Sequence, residues 1–262
     1  MDAAWRFVER LMEYPSGECG EGLCCLRDEA SEAGVEIVFA SDKHLGTFER
    51  LFFLRQSLVE KVLRVAEALL KRDYTMRIED AYRSVEAQRR ASRSEYVLRA
   101  VLEKVLWEAD GGAPTAELVF RRLAVWSATT PKFANHTAGS ALDVSLLKRE
   151  DGSPADLGAP YPEFSHRTPM ASPFVSEEAW RNRRMLCELF AAEDFLAYPY
   201  EFWHFSHGDA DYEMIAGQGR PARYGPVHFS PDDGRLTPVE DPLKPFITAD
   251  DVGRWLQGRK LS

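Results

Sequence analysis

Residues 136–146 have the sequence HTAGSALDVSL, in which apolar and polar positions alternate over the second half. Successive side chains of a β-strand point to opposite faces. The alternation therefore predicts a strand whose core face carries Leu142, Val144 and Leu146, with Asp143 on the other face. A carboxylate in that position is available to a functional site.

His136 precedes Asp143 by seven residues, a spacing that suits a loop entering a strand better than a single helical turn. Gly139 and the small residues Ser140 and Ala141 allow the backbone to turn between them.

Together with His204, these two residues supply the ligands of a catalytic zinc site. Zinc binds imidazole nitrogen and carboxylate oxygen readily, and a catalytic site uses three protein ligands so that water can take the fourth position. Glu201, in the run Glu201-Phe-Trp-His204, is a spare carboxylate that could deprotonate this water. We therefore expect one Zn2+ per chain, bound by His136, Asp143 and His204, with Glu201 as the general base.

The spacing of Glu201 and His204 predicts an irregular backbone. The helical HExxH motif is absent, and the stretch 201–206 is predicted to be a short strand. Residues three apart in an ideal strand point to opposite faces. If both side chains serve one site, a bend near Pro199 or a bulge must redirect one of them.

Arg83 is the other candidate catalytic residue, because it follows a predicted strand at residues 74–82 and precedes a helix. Its guanidinium could hold a peptide carbonyl as that group becomes a tetrahedral oxyanion. Taken singly, each of these residues has an ordinary structural interpretation: a core or surface histidine for His204, a capping residue for Asp143 and a surface ion-pair partner for Arg83. Their combination at fitting spacings favours the catalytic interpretation. The other histidines, His44, His166, His207 and His228, are interpreted as structural or exposed.

Hydrophobic periodicity, capping residues and charge predict the remaining elements. Helices are expected at residues 3–14, 51–71, 85–110, 115–126, 177–192 and 249–256, and a further strand at residues 35–40. Residues 151–173 are rich in Gly, Pro and Ser and are expected to form a long functional loop. We interpret residues 1–262 as one domain with a core at about 35–209, an N-terminal helix at 3–14, a helical insertion at 85–126 and a C-terminal segment at 217–262 that wraps the surface.

Composition indicates a soluble enzyme. The chain has 262 residues, 45% of them hydrophobic, and a net charge of −9, which disfavours nucleic acid and anionic membranes as partners. No stretch is apolar enough for a membrane span, and the first residues lack the pattern of a secretory signal, so a cytoplasmic location is expected. The four cysteines follow no metal or disulfide spacing and are expected to be free thiols: Cys19, Cys24, Cys25 and Cys187.

Three motifs resemble those of the peptidase family that contains the zinc D-alanyl-D-alanine dipeptidases and carboxypeptidases. The stretch 136–143 matches HxxGxAxD, the stretch 201–204 matches ExWH, and the stretch 80–83, Asp-Ala-Tyr-Arg, resembles the family's strand-end AYR element. The tail 203–209 is closer to the vancomycin-resistance-type dipeptidases. The resemblance implies a Hedgehog/D,D-peptidase-like α+β zinc fold, with helices packed on a central antiparallel sheet. It also implies zinc bound by His136, Asp143 and His204, Glu201 as general base and Arg83 as stabiliser of the tetrahedral intermediate.

The sequence departs from this family at three places that bear on the substrate. Ala134 stands where many dipeptidases have Ser, Ser84 replaces the usual Pro after Arg83, and Pro162 followed by Glu163 stands where the family has an acidic residue implicated in holding the substrate amino group. The leading hypothesis is hydrolysis of D-Ala-D-Ala or a related short dipeptide. A D,D- or L,D-carboxypeptidase or endopeptidase acting on peptidoglycan stem peptides is an alternative, and a non-catalytic zinc-bearing binding domain is another.

Overall fold

The structure is a computed structural model that describes residues 2–44, 46–109 and 112–258. These residues form ten α-helices and nine β-strands. The helices are α1 (Asp2–Glu13), α2 (Leu26–Ala33), α3 (Gln56–Leu70), α4 (Val85–Ser92), α5 (Glu95–Glu108), α6 (Ala116–Trp126), α7 (Asn135–Ala138), α8 (Glu177–Ala192), α9 (Ala210–Ala216) and α10 (Ala249–Leu256). The strands are β1 (Leu23–Cys25), β2 (Ile37–Phe39), β3 (Phe53–Arg55), β4 (Tyr74–Asp80), β5 (Ala141–Lys148), β6 (Leu196–Ala197), β7 (His204–Ser206), β8 (Val227–Phe229) and β9 (Leu236–Pro238).

A five-stranded sheet in the order β2-β4-β5-β7-β6 lies at the centre of the fold. Its pairs are antiparallel except for β2 and β4, which run parallel. The α+β fold class predicted from the family resemblance is therefore confirmed, with one parallel pair at the edge of the sheet.

One face of the sheet packs against α3 and α8. The alternation in β5 has the predicted sense, since Leu142, Val144 and Leu146 are at most 1% exposed and belong to this core. Met76 and Ile78 of β4 are fully buried beside them. Burying each large apolar side chain contributes roughly 1.5–3 kcal/mol, so this layer holds the register of β4 and β5 firmly.

A second apolar core contains residues of α5 and α6, in the stretch predicted to be a helical insertion, and residues of α1 and α10. Helix α6 packs against α5, α1 and α10, and Val101, Leu123 and Val252 are fully buried in this core. The C-terminal segment is thus only partly a surface wrap, because Tyr224 and Val227 are also buried. No helix of the described residues is both long and apolar enough to span a membrane.

Two of the predicted helices needed correction at their boundaries. The helix predicted at 51–71 begins at Gln56, because residues 53–55 form β3 and pair with β1. Leu54 is fully buried, which is compatible with either a helix or a strand. The hydrophobic pattern around it therefore could not distinguish the two kinds of element. The helical stretch predicted at 85–110 divides into α4 and α5 around Arg93, and its predicted end at residue 110 lies outside the described residues. Ser176 is the N-cap of α8, and the four cysteines are unpaired in the structure.

Candidate metal centre and its cavity

His136 is carried by the single helical turn α7, which ends at Gly139. Gly139 has a φ of 67°, a conformation that glycine adopts without steric cost, and a Cβ at this position would lie 2.4 Å from Leu23 Cδ2. The Nδ1–H of His136 donates to the Ala81 carbonyl at 2.6 Å. Because that carbonyl can only accept, the bond fixes the tautomer and leaves the Nε2 lone pair free. Nε2 lies 3.2 Å from Asp143 Oδ1.

Asp143 is surrounded by polar groups. It pairs across β5 and β7 with His204, whose Nδ1 lies 3.0 Å from Asp143 Oδ1, and the Tyr161 hydroxyl donates to Oδ2 at 3.0 Å. Burial would raise the pKa of Asp143, but His136 and His204 hold it well below its usual range. Burial lowers the pKa of His204, which favours the neutral imidazole that binds metal ions.

The donor set of these three residues fits zinc. One ligand atom from each of His136, Asp143 and His204 can be chosen so that all lie within 4.8 Å of one another, and the residues are only 6%, 3% and 6% exposed. Two imidazole nitrogens and one carboxylate oxygen form a set that binds zinc and leaves a fourth position open. We refer to these three residues as the metal centre.

Glu201 lies beside the metal centre because the backbone turns before β7. The strand predicted at 201–206 begins only at His204, and residues 202–203 form a turn. This is the irregularity that the spacing required, and it brings Glu201 Oε2 to 3.9 Å from His204 Nδ1. Burial, followed by repulsion from Asp143, raises the pKa of Glu201 well above its usual value, so its carboxylate has a strong tendency to accept a proton.

Arg83 is held in a fixed orientation at the end of β4. Its Nη2 and Nε donate to Asp80 Oδ2 at 2.6 and 3.1 Å, and its Nη1 donates to Gln88 Oε1 at 2.7 Å. Nη2 also lies 3.8 Å from Asp143 Oδ2, and the side chain is only 12% exposed. Arg83 is therefore a largely enclosed group next to the metal centre, which excludes the interpretation as a surface ion-pair partner.

A cavity of about 490 Å3 contains the metal centre together with Glu201 and Arg83. Val97 of α5 and Trp126 of α6 line this cavity. The loop after β5 contributes Tyr161 and Phe164 to its lining. The helices at residues 85–126 therefore contribute directly to the cavity wall.

The sequence of the chain matches a known protein family. The family model described as D-ala-D-ala dipeptidase matches residues 47–217, which is more than half of the chain. The chain belongs to the D-ala-D-ala dipeptidase family. The resemblance inferred from the three motifs is thereby confirmed.

Relatives in the D-ala-D-ala dipeptidase family resemble the chain over part of its length. A D-alanyl-D-alanine dipeptidase of Escherichia coli strain K12 is 34% identical over 32% of this chain and 44% of its own length. One from Synechocystis is 33% identical over 32% of this chain and 43% of its own length, so the chain matches less than half of each relative. Among solved structures, the chain is similar to a Zn(II) complex of a mutant of VanY, a vancomycin resistance D,D-pentapeptidase from a VanB-type cassette. The sequences are 16% identical, and the match covers 72% of this chain and 96% of that chain with a TM-score of 0.36.

The residues at which the chain departs from the D-ala-D-ala dipeptidase pattern have different surroundings in the structure. Ser84 is the N-cap of α4, and its hydroxyl accepts a hydrogen bond from the Ala87 backbone at 3.2 Å. Ala134 and Pro162 line the cavity. Glu163 instead accepts two hydrogen bonds from the Nη2 of Arg167, at 2.7 and 2.8 Å.

Tyr161, His44 and Asp211 are among the cavity residues that were not predicted from the sequence. Tyr161 lies in the predicted functional loop, but no pattern there singles it out. His44, interpreted as structural or exposed, lines the cavity with its Nδ1 3.3 Å from Asp80 Oδ2. Asp211 lies in α9, beyond the tail of the ExWH motif, and is 4% exposed at the cavity wall. Only the folded chain brings these residues to the site.

Proposed function

We propose that this protein is a zinc peptidase that hydrolyses D-Ala-D-Ala or a closely related short dipeptide. The observation that carries the proposal is the convergence of the metal centre, Glu201 and Arg83 in one cavity of about 490 Å3. That volume lies within the range of roughly 300–1,000 Å3 that is usual for small-molecule sites. Membership of the D-ala-D-ala dipeptidase family supports the substrate class.

His136, Asp143 and His204 would hold the zinc ion. Zn2+ bound there would polarise the peptide carbonyl and increase the acidity of a water molecule. The hydrogen bond from His136 Nδ1 to the Ala81 carbonyl and the bond from Tyr161 to Asp143 keep the ligand atoms directed to one point.

Glu201 would act as the general base and then as the general acid. It takes a proton from the attacking water as the oxygen bonds to the carbonyl carbon, and it returns that proton to the amine nitrogen when the C–N bond breaks. Its raised pKa suits both transfers, since the carboxylate must first accept the proton and then release it. Proton transfer of this kind contributes roughly 10²–10⁴-fold to the rate.

Arg83 would stabilise the negative charge that develops on the carbonyl oxygen. Its Nε, Nη1 and Nη2 each use an N–H group to hold Asp80 or Gln88. Two of the guanidinium N–H groups are left for substrate. Because Asp80 and Gln88 fix the plane of the guanidinium before the substrate arrives, little reorganisation is needed during the reaction.

The test is a substrate panel with the zinc-loaded protein: D-Ala-D-Ala, L-Ala-D-Ala, acetylated D-Ala-D-Ala and a stem pentapeptide. We expect cleavage of D-Ala-D-Ala, and a rate reduced by roughly 10²–10⁴-fold in Glu201→Gln with zinc content unchanged. Absence of stoichiometric zinc, or full activity of Glu201→Gln, would overturn the proposal. Cleavage of the acetylated or longer substrates instead would assign the carboxypeptidase alternative, and zinc binding with no turnover of any substrate would assign the non-catalytic alternative.

We also propose that the helical insertion and the central sheet act as one peptidase unit. The cavity is lined both by Val97 and Trp126 of the insertion and by the metal centre. A substrate in the cavity would therefore contact both parts.

A further inference from the structure

Four acidic residues line the cavity among the described residues, and three of them have evident partners. Asp42 accepts from Arg50 at 2.8 Å. Asp143 contacts both histidines of the metal centre, and Glu201 lies next to His204. The fourth is Asp211, which has no such cation beside it.

Asp211 is a buried carboxylate with an unsatisfied oxygen. Its Oδ2 accepts from the side-chain amide of Asn135 at 2.7 Å, whereas its Oδ1 is buried and has no hydrogen-bond partner within the described chain. The residue is 4% exposed, and no ion pair of the described residues includes it. A buried carboxylate that lacks a partner is costly, since its desolvation is not offset.

Burial and neighbouring charges disfavour the ionised form of Asp211 further. Burial and the nearby carboxylate of Asp209 raise the pKa of Asp211 well above its usual value. The charge of Asp211 also raises the pKa of Tyr198 and of Glu201, which line the same cavity. Asp209 itself is satisfied by the hydroxyls of Ser140 and Ser206 and by the Tyr212 backbone. A cation bound beside Asp211 would stabilise the negative charge of its carboxylate.

We propose that Asp211, held by Asn135, binds an ammonium group of the substrate. The inference rests on the proposed function, because it places the ammonium group in the same cavity as the scissile bond. Asn135 immediately precedes His136, so the site lies beside the turn that carries a metal-centre residue.

The cavity walls suit an ammonium group better than a bare metal ion. A metal ion needs several ligand atoms, and Asp211 is joined here by the amide nitrogen of Asn135, which cannot coordinate a metal ion. An alkylammonium has apolar carbon attached to its charge, and the cavity wall includes the aromatic residues Trp126, Phe133 and Tyr198, of which Tyr198 is an electrostatic neighbour of Asp211. Aromatic faces attract such cations as well as their alkyl stems.

The ammonium group has two possible sources in a short peptide. One is the free amino terminus of a dipeptide, and the other is the side chain of a basic residue. Phosphinate analogues, which mimic the tetrahedral intermediate, can present each source separately. Three probes are needed: the D-Ala-D-Ala phosphinate with a free amino group, its N-acetylated form, and an N-acetylated form with a lysine side chain in the first residue.

Calorimetric binding of these probes to the zinc-loaded protein tests the inference without requiring turnover. We expect the wild type to bind the free-amine probe, or the lysine probe, about 30-fold or more tightly than the N-acetylated probe. Asp211→Asn should remove this difference while binding the N-acetylated probe as well as the wild type does. Asn keeps the acceptor for Asn135, so the variant should fold, and melting curves check this. Which ammonium probe is preferred identifies the source of the group.

Glu213→Gln is the matched control, since it removes one charge from the same helix, α9, where Glu213 pairs with Arg220 outside the cavity lining. It should bind all three probes as the wild type does. Equal binding of the three probes by the wild type, or an Asp211→Asn variant that keeps the preference, would overturn the ammonium site. These outcomes are distinct from failure of the proposed function, which would appear as no hydrolysis by a protein that still binds the ammonium probe through Asp211.

Discussion

Asp143 and His204 lie directly opposite each other on adjacent strands, with Nδ1 of His204 3.0 Å from Oδ1 of Asp143. On the other side of Asp143, the register of the sheet places Asp80, which holds Arg83. Three neighbouring strands thus present their functional groups at one level of the sheet. A slip of one residue would turn these side chains to the opposite face, so the buried apolar face of the sheet also secures the site.

The first prediction concerns the orientation of Arg83. Asp80→Asn removes the charge that holds the guanidinium and should lower kcat on the order of 10- to 100-fold, with a smaller change in KM. Arg83→Ala should cost more, about 10²–10³-fold in kcat, because the donor itself is lost. Steady-state kinetics on D-Ala-D-Ala measure both effects.

Asp42→Asn is the control for this prediction. Asp42 also lines the cavity, but it pairs with Arg50 instead of Arg83, and its side chain is 65% exposed. The variant should keep turnover near the wild-type level. Equal losses in the Asp42 and Asp80 variants would mean that general charge, and not the orientation of Arg83, determines kcat.

The second prediction concerns the hydroxyl of Tyr161, which donates to Asp143 Oδ2 at 3.0 Å. Tyr161→Phe removes only this bond and should weaken zinc binding or activity by roughly 10- to 100-fold, as is usual for groups that orient a metal ligand. Zinc affinity is measured by competition with a chelator. Tyr96→Phe is matched to it, since Tyr96 lines the same cavity but donates to the Pro162 carbonyl, and it should leave zinc affinity unchanged.

The third prediction is that the metal stabilises the fold. An ion present at 1,000 times its dissociation constant contributes about 4 kcal/mol. For a chain of this size, chelation should therefore lower Tm by roughly 10 °C, and added zinc should restore it. His204→Ala should have a low Tm that zinc does not raise. A wild-type Tm that does not respond to zinc would show that the metal centre is not coupled to folding.

Much of the fold could be predicted from the sequence, because its strongest hydrophobic patterns correspond to side chains that are buried in the core. Leu142, Val144 and Leu146 alternate because one face of β5 is packed and the other is not, and that contrast is visible without a structure. Residues 53–55 were misassigned because strand formation there depends on pairing with β1, some 30 residues earlier in the chain. Periodicity reports which side chains are buried, but it does not report the partner of a short strand.

Part of the candidate site could also be predicted from the sequence. The metal-centre residues and Glu201 occur in two short motifs, so their spacing alone suggested a common role. Asp211 and His44 belong to no motif, and they reach the cavity only through the packing of α9 and of the loop before β3. Their unusual feature, a buried polar atom without a partner, exists only in the folded chain.

The last prediction concerns Gly139, which directs the chain from His136 into β5. Gly139→Ala adds a Cβ at a φ of 67° and at 2.4 Å from Leu23 Cδ2, so both strain and overlap must be relieved. Gly152→Ala has a similar φ of 70° with nothing within 4 Å of the added atom, and it should cost about 1–2 kcal/mol through strain alone. Gly139→Ala should cost about 1–3 kcal/mol more than this and should weaken zinc binding, because His136 would be displaced. Shortening Leu23 to Ala should recover part of the stability and zinc affinity in Gly139→Ala, measured as a double-mutant cycle by denaturant unfolding. Purely additive effects of the two substitutions would contradict the steric explanation.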